Sequence, residues 1–222
     1  MAMQSVVRGV VIAALFGACG ASHHDHPDGS MPGDDGGGSA GLTVPWSLTF
    51  DVPGDVPGST FDAEVDEVVF KVLSLEVTGD AGSVQIPKEV DVGWDTTSKP
   101  DAIVFPSAPV GLYSKLSIRV DGQLADNSFW INGHATVGGT TYPFKIYDRY
   151  FLTMTIDLNT MLSPDGSASI PIQVQLDQAL NTLDFSKLDR DDDTITLDNG
   201  DFTTMTAFEK ALEQAFVTKA PE

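Results

Sequence analysis

From Leu42 onward, apolar residues return at every second position in short runs, and each run ends in a cluster of Gly, Pro, Asp or Asn. That pattern constrains the fold more than any other feature of the chain, because a period of two puts alternate side chains on opposite faces of an extended strand. Leu42, Val44, Trp46, Leu48 and Phe50 make the first run, and Val52-Pro53-Gly54-Asp55 and Val56-Pro57-Gly58-Ser59 supply turns directly after it. Val68, Phe70 and Val72 alternate, then Leu73, Leu75 and Val77 alternate on the other parity, which predicts a long strand with a bulge or bend. Shorter strands are predicted over 84–86, 89–94 and 102–105.

Pro109-Val110-Gly111 leads into a strand in which Leu116, Ile118 and Val120 share one face and Lys115, Ser117 and Arg119 the other. Segments 128–137 and 140–147 flank Gly138-Gly139, the strongest hairpin signal in the chain. Segments 150–158 and 168–176 follow around Ser163-Pro164-Asp165-Gly166. A short helical turn is predicted near 178–185, and a terminal helix over 203–217 with Met205, Phe208, Leu212, Ala215 and Phe216 on one face. Thr206 and Glu209 have the spacing of a capping box at its start. With no alternation of strands and helices, the pattern predicts an all-β antiparallel β-sandwich over 42–222 ending in an α-helix.

The first 41 residues read differently. Val10-Val11-Ile12-Ala13-Ala14-Leu15-Phe16 is apolar, follows Arg8, and closes in the small residues Gly17-Ala18-Cys19-Gly20, the layout of an export signal. Leu15-Phe16-Gly17-Ala18-Cys19 resembles the lipobox of bacterial lipoproteins, with Phe16 where Leu is usual, and it holds the chain's single cysteine. The resemblance implies cleavage after residue 18 and a mature chain whose Cys19 carries a thioether-linked diacylglyceryl group and an N-acyl chain, enough acyl chains for stable anchoring. Gly20 after the cysteine, by similarity to enteric lipoproteins, implies sorting to the outer membrane. Residues 20–41 are rich in Gly, Ser, Asp, His and Pro, so residues 19–41 are expected to form a flexible, disordered linker. The initial alternating run, Leu73-Ser74-Leu75-Glu76-Val77 and the Pro109 to Tyr113 entry are similar to an uncharacterised family of transthyretin-like or carboxypeptidase-regulatory-like sandwich domains. That resemblance extends from Trp46 to Val120 and implies a fold but no catalytic residues.

Twelve Lys and Arg against 32 Asp and Glu give a net charge of −20, which excludes nucleic acid as a partner. The densest acidic stretch contains Asp184, Asp189, Asp191, Asp192, Asp193, Asp198 and Asp201, offset by Lys187 and Arg190. Carboxylates this crowded suit a hard cation, and Asp189, Asp191 and Asp193 match positions 1, 3 and 5 of an EF-hand-type calcium loop. Thr194 stands where position 6 requires Gly, and Gly200 where position 12 requires Glu, so the alternatives are a partial calcium clip extending to Asp198 and Asp201 or a solvated acidic turn. His23, His24 and His26 with Asp25 and Asp28 offer ligands for zinc, copper or nickel, or else a hydrophilic spacer. His134 is the only imidazole after the linker; a triad around it would need distant partners. Tyr142, Phe144, Tyr147, Tyr150 and Phe151, with Trp46, Trp94 and Trp130, either line a sugar- or peptide-binding surface or fill the core.

The expected function is therefore a lipid-anchored envelope lipoprotein with a non-enzymatic binding, adhesion or structural role. Its expected partners are the membrane, through Cys19, and a protein or carbohydrate ligand. The alternatives are a metal-binding periplasmic or surface protein and a hydrolase on a sandwich scaffold.

Overall fold

The computed structural model describes residues 41–123 and 126–219. The expected signal peptide, Cys19, the linker up to residue 40, and His23, His24 and His26 lie outside the described residues; Gly41 already belongs to a strand. In chain order the strands are β1 (Gly41–Val44), β2 (Trp46–Leu48), β3 (Gly54–Asp55), β4 (Glu64–Gly79), β5 (Gly82–Gln85), β6 (Val90–Trp94), β7 (Ile103–Phe105) and β8 (Gly111–Val120). Then come β9 (Phe129–Val137), β10 (Thr140–Asp148), β11 (Leu152–Leu162), β12 (Ser167–Ser169), β13 (Ile172–Val174) and α1 (Leu176–Leu180). The chain closes with β14 (Asp189–Asp191), β15 (Thr194–Leu197), α2 (Phe202–Ala215) and β16 (Phe216–Thr218). The fold is an all-β sandwich with a small C-terminal helix, as the alternation predicts.

β4 organises it. Val65, Val68, Phe70, Val72, Leu75 and Val77 are all fully buried, and the two odd spacings among them fall where the ladder slips, between Val65 and Glu67 and between Val72 and Ser74. Before the second bulge β4 pairs with β9 on one side and β6 on the other; after it, with β8 and β5. A bulge lets one strand serve two sheet halves in this way, because the extra residue bends the strand and increases its twist. One half continues from β9 through β10 and β15 to β14, the other from β8 to β11.

Prolines shape the remainder. The expected single strand over 42–50 is two strands in different sheets, since Pro45 has no N–H to give to a ladder. The expected strand over 168–176 is likewise divided, at Pro171, into β12 and β13. These two broken segments run parallel: β1 pairs with β12, β2 with β13, and Ile172 N–H donates to Pro45 O at 2.9 Å between them. With β10 against β15, these are parallel pairings in a sandwich that is otherwise antiparallel.

Two local devices fix the turns. Gly138 and Gly139 have φ of 62° and 82°, the left-handed pair that a two-residue hairpin between β9 and β10 needs. Tyr113, 2 % exposed, donates its hydroxyl to Pro109 O at 2.6 Å, the side-chain-to-upstream-backbone bond of a tyrosine corner.

α2 buries Met205, Phe208, Leu212 and Ala215, the face its periodicity predicts. The expected capping box at Thr206 and Glu209 does not form: the helix starts earlier, and the Asp201 side chain accepts from Thr204 N–H at 3.1 Å. The helix also stops before residue 217. Phe216 turns extended to pair with Val174 and to set its ring 5.2 Å from that of Phe70, so sheet pairing and core packing override the helical period.

Candidate functional site

Cross-strand partners on one face of a sheet point the same way, so the ladder itself shows which side chains share the outer surface. Val69 pairs with Gly93 and with Trp130, and Trp130 with Tyr147. One step along, Glu67 pairs with Asn132, Asn132 with Lys145, Lys145 with Thr196, and Thr196 with Asp189. The intervening residues Ile131, Phe144, Ile146, Ile195 and Leu197 are at most 1 % exposed and make the inner face. The outer face of β6, β4, β9, β10, β15 and β14 is therefore a polar surface with Trp130 and Tyr147 side by side near its middle.

Two hollows open on this face. At the β14 end, a cleft of about 420 Å³ is lined by Lys145, Tyr147, Thr194, Thr196 and five carboxylates, Asp189, Asp191, Asp192, Asp198 and Asp201. At the β6 end, a hollow of about 330 Å³ is lined by Trp130, Val69, Gly93, Ser98, Lys99 and the carboxylates of Asp91, Asp95 and Asp101, among others. Asp95 is held down to about 2 by hydrogen bonds from the hydroxyl and then the backbone N–H of Thr97, with further bonds from Ser98.

The acidic stretch expected to be a loop is a hairpin. Asp192 and Asp193 occupy its turn with φ of 44° and 66°, a left-handed pair that Asp tolerates better than most residues. The turn explains why two aspartates sit adjacent here. β14 then holds Asp189 and Asp191 on one face, while Arg190 swings to the other and lies 4.2 Å from the centre of the Tyr142 ring. Of the residues singled out for calcium, Asp189, Asp191, Asp198 and Asp201 line the same cleft, while Asp193 sits in the turn and is not among the lining residues. Asp192, not singled out, does line it; the positive φ of its turn was the missing signal.

Two of these carboxylates already have protein partners. Asp198 accepts from the Tyr147 hydroxyl at 3.2 Å, and burial followed by that bond raises the Tyr147 pKa above its ordinary value. Asp201 is lowered by the Thr204 side chain and then its N–H. Among the described residues, no group of three or more His, Cys, Asp or Glu stands close enough to hold one ion. The cleft thus concentrates negative potential without converging on a point.

His134 lies half-exposed on β9 with Nδ1 2.8 Å from Asp66 Oδ2, and it lines none of the hollows above. The aromatic residues divide: Trp46, Trp94 and Phe144 are core, Trp130, Tyr142 and Tyr147 are half-buried, and Tyr150 and Phe151 stand out at 59 % and 55 % exposure. Arg119 stacks on Phe151 at 4.6 Å. Among the described residues, no helix is long and apolar enough to cross a membrane.

No protein family, no curated protein and no solved structure matches the chain.

Proposed function

We propose that the chain is an exported envelope lipoprotein, held at the outer membrane by acyl chains on Cys19, whose sandwich domain serves a non-enzymatic binding role through the outer face of β6, β4, β9, β10, β15 and β14. The observation that carries the reading is the position of the lipobox-like Leu15-Phe16-Gly17-Ala18-Cys19, at the end of an apolar run and ahead of a polar segment, with the chain's one cysteine inside it. The transthyretin-like or carboxypeptidase-regulatory-like character of the domain belongs to the same proposal and rests on the sequence resemblance.

The outer face supports a binding role because it joins half-buried aromatic rings to hydrogen-bonding groups on a rigid sheet, the composition that protein and carbohydrate ligands use. A non-enzymatic role is favoured over hydrolysis at a histidine-centred site because His134 lies outside the acidic cleft and pairs with the half-exposed Asp66.

Expression of the full chain in a bacterium supplied with a labelled fatty acid tests the anchor. The wild type is expected to take up label and enter the detergent phase on phase separation, and Cys19→Ser to lose both. Equal partitioning of the two, without label in either, would falsify it.

A further inference from the structure

At the far end of β10 from its hairpin, a carboxyl group is sealed into the protein. Asp148 is 1 % exposed, and its Oδ1 accepts from the N–H groups of Arg149 and of Tyr150, the latter at 3.0 Å. Ser128 secures the same corner: its N–H donates to Asp148 O at 2.6 Å and its hydroxyl to Arg149 O at 2.9 Å. The second oxygen, Asp148 Oδ2, is buried with no donor in reach. On the facing side of α2, Glu209 Oε1 is buried and equally without a donor; Phe208 beside it packs on Phe129, the ladder partner of Asp148, with ring centres 6.3 Å apart, and Asp148 is the carboxylate that acts most strongly on Glu209.

Two buried carboxylate oxygens side by side repel, and neither has a cation or N–H to offset the loss of water. One proton between them removes both penalties, because a protonated carboxyl is a donor and its ionised neighbour an acceptor. We propose that Asp148 and Glu209 form a single-proton clasp that locks α2 to the β10 end of the sheet, and that losing this proton to solvent at alkaline pH loosens the helix. The proton leaves as hydronium or to hydroxide, and the pair goes from one negative charge to two.

The cation nearest in the chain, Arg149, lines the same hollow as Asp148, but among the described residues the ion pairs do not join it to either carboxyl. The charges that act on Glu209 are Asp148 from β10 and Glu213 one helical turn further on, both negative. From β11, the Thr153 N–H is spent on Glu213 at 3.0 Å, and Asp157 lies away at the hollow it shares with Lys219. On α1, Asp177 is engaged by the Thr49 hydroxyl, and β16 carries no ionisable side chain. Burial first, then the bond to Asp148 and the repulsion, raise Glu209 to about 8. A group raised in the folded state stabilises it fully below its unfolded value and loses that contribution as pH climbs through the folded one. The clasp is therefore closed in acid and at neutrality and opens above about pH 8.

Hydrogen exchange on the full chain, corrected for the intrinsic pH dependence of exchange, reads the effect in α2. Between pH 6.5 and 9.5, protection of the α2 amides in the wild type is expected to fall by up to about thirtyfold, the ratio that one group of this pKa gives by linkage. In Glu209→Gln, whose amide donates to Asp148 at any pH, the fall is expected to vanish. Parallel losses of protection in the two proteins would overturn the clasp. Carbon-13 titration of the assigned Glu209 carboxyl in the wild type keeps the test independent of the variant's folding: a midpoint above pH 7 supports the clasp, and one at ordinary carboxylate values overturns it.

Discussion

Gly133 shows how little room a single position leaves. It sits mid-strand on β9, where a Cβ would run into the carbonyl oxygen of Glu64 on the neighbouring strand and come 2.6 Å from Phe144 Cζ. Backbone cannot yield as a flexible side chain can, so Gly133→Ala is expected to destabilise the domain by about 2–4 kcal/mol. Urea unfolding followed by tryptophan fluorescence measures it, and a loss under about 1 kcal/mol would mean that β9 and β4 shift apart easily. Its role as a contact between ladders is invisible in the sequence. Asp192 and Asp193 make a related point: composition leaves a calcium clip and an acidic turn both open, whereas their φ values of 44° and 66° show them to be turn formers. The clasp was hidden more deeply, because Asp148 and Glu209 are 61 positions apart and nothing local brings a strand end against a helix face.

Elements with several alternating apolar residues were legible, and elements with few were not. β4, β8, β9 and β10 follow from periodicity because their inward faces are continuous, and even the parity shift at Val72 to Ser74 appears as a real slip in the ladder. β14 and β15 were missed because this hairpin buries only Ile195 and Leu197 of its own. Pairing to β10, a contact no local window contains, holds it in place. α2 starts one residue before the predicted 203, but its cap was misplaced: Asp201, not Thr206, accepts from the first turn, at Thr204 N–H. Asp201→Ala is expected to fray that turn, seen as faster amide exchange at Thr204, while Thr206→Ala leaves it unchanged. The Asp201 pKa lies below its ordinary value, so this cap acts at neutral pH and fades as pH falls through the folded value. Amide exchange at Thr204 that ignores both the substitution and acid would remove Asp201 as the cap.

At the scale of the molecule, a net charge of −20 over the 222-residue chain means that folding gathers like charges together. Screening relieves that repulsion, so the melting temperature is expected to rise as NaCl goes from 10 mM to 500 mM. Calcium chloride at matched ionic strength is expected to add little more, because the cleft carboxylates do not converge. A calcium-specific increase of several degrees would instead favour the metal-binding alternative. The N-terminal strand adds a mechanical consequence. β1 lies between β12 and β7, bonded along both edges. Tension arriving through residue 41 along the strand axis must shear both ladders at once instead of peeling one bond at a time, so the domain meets a pull from that side at its stiffest grip.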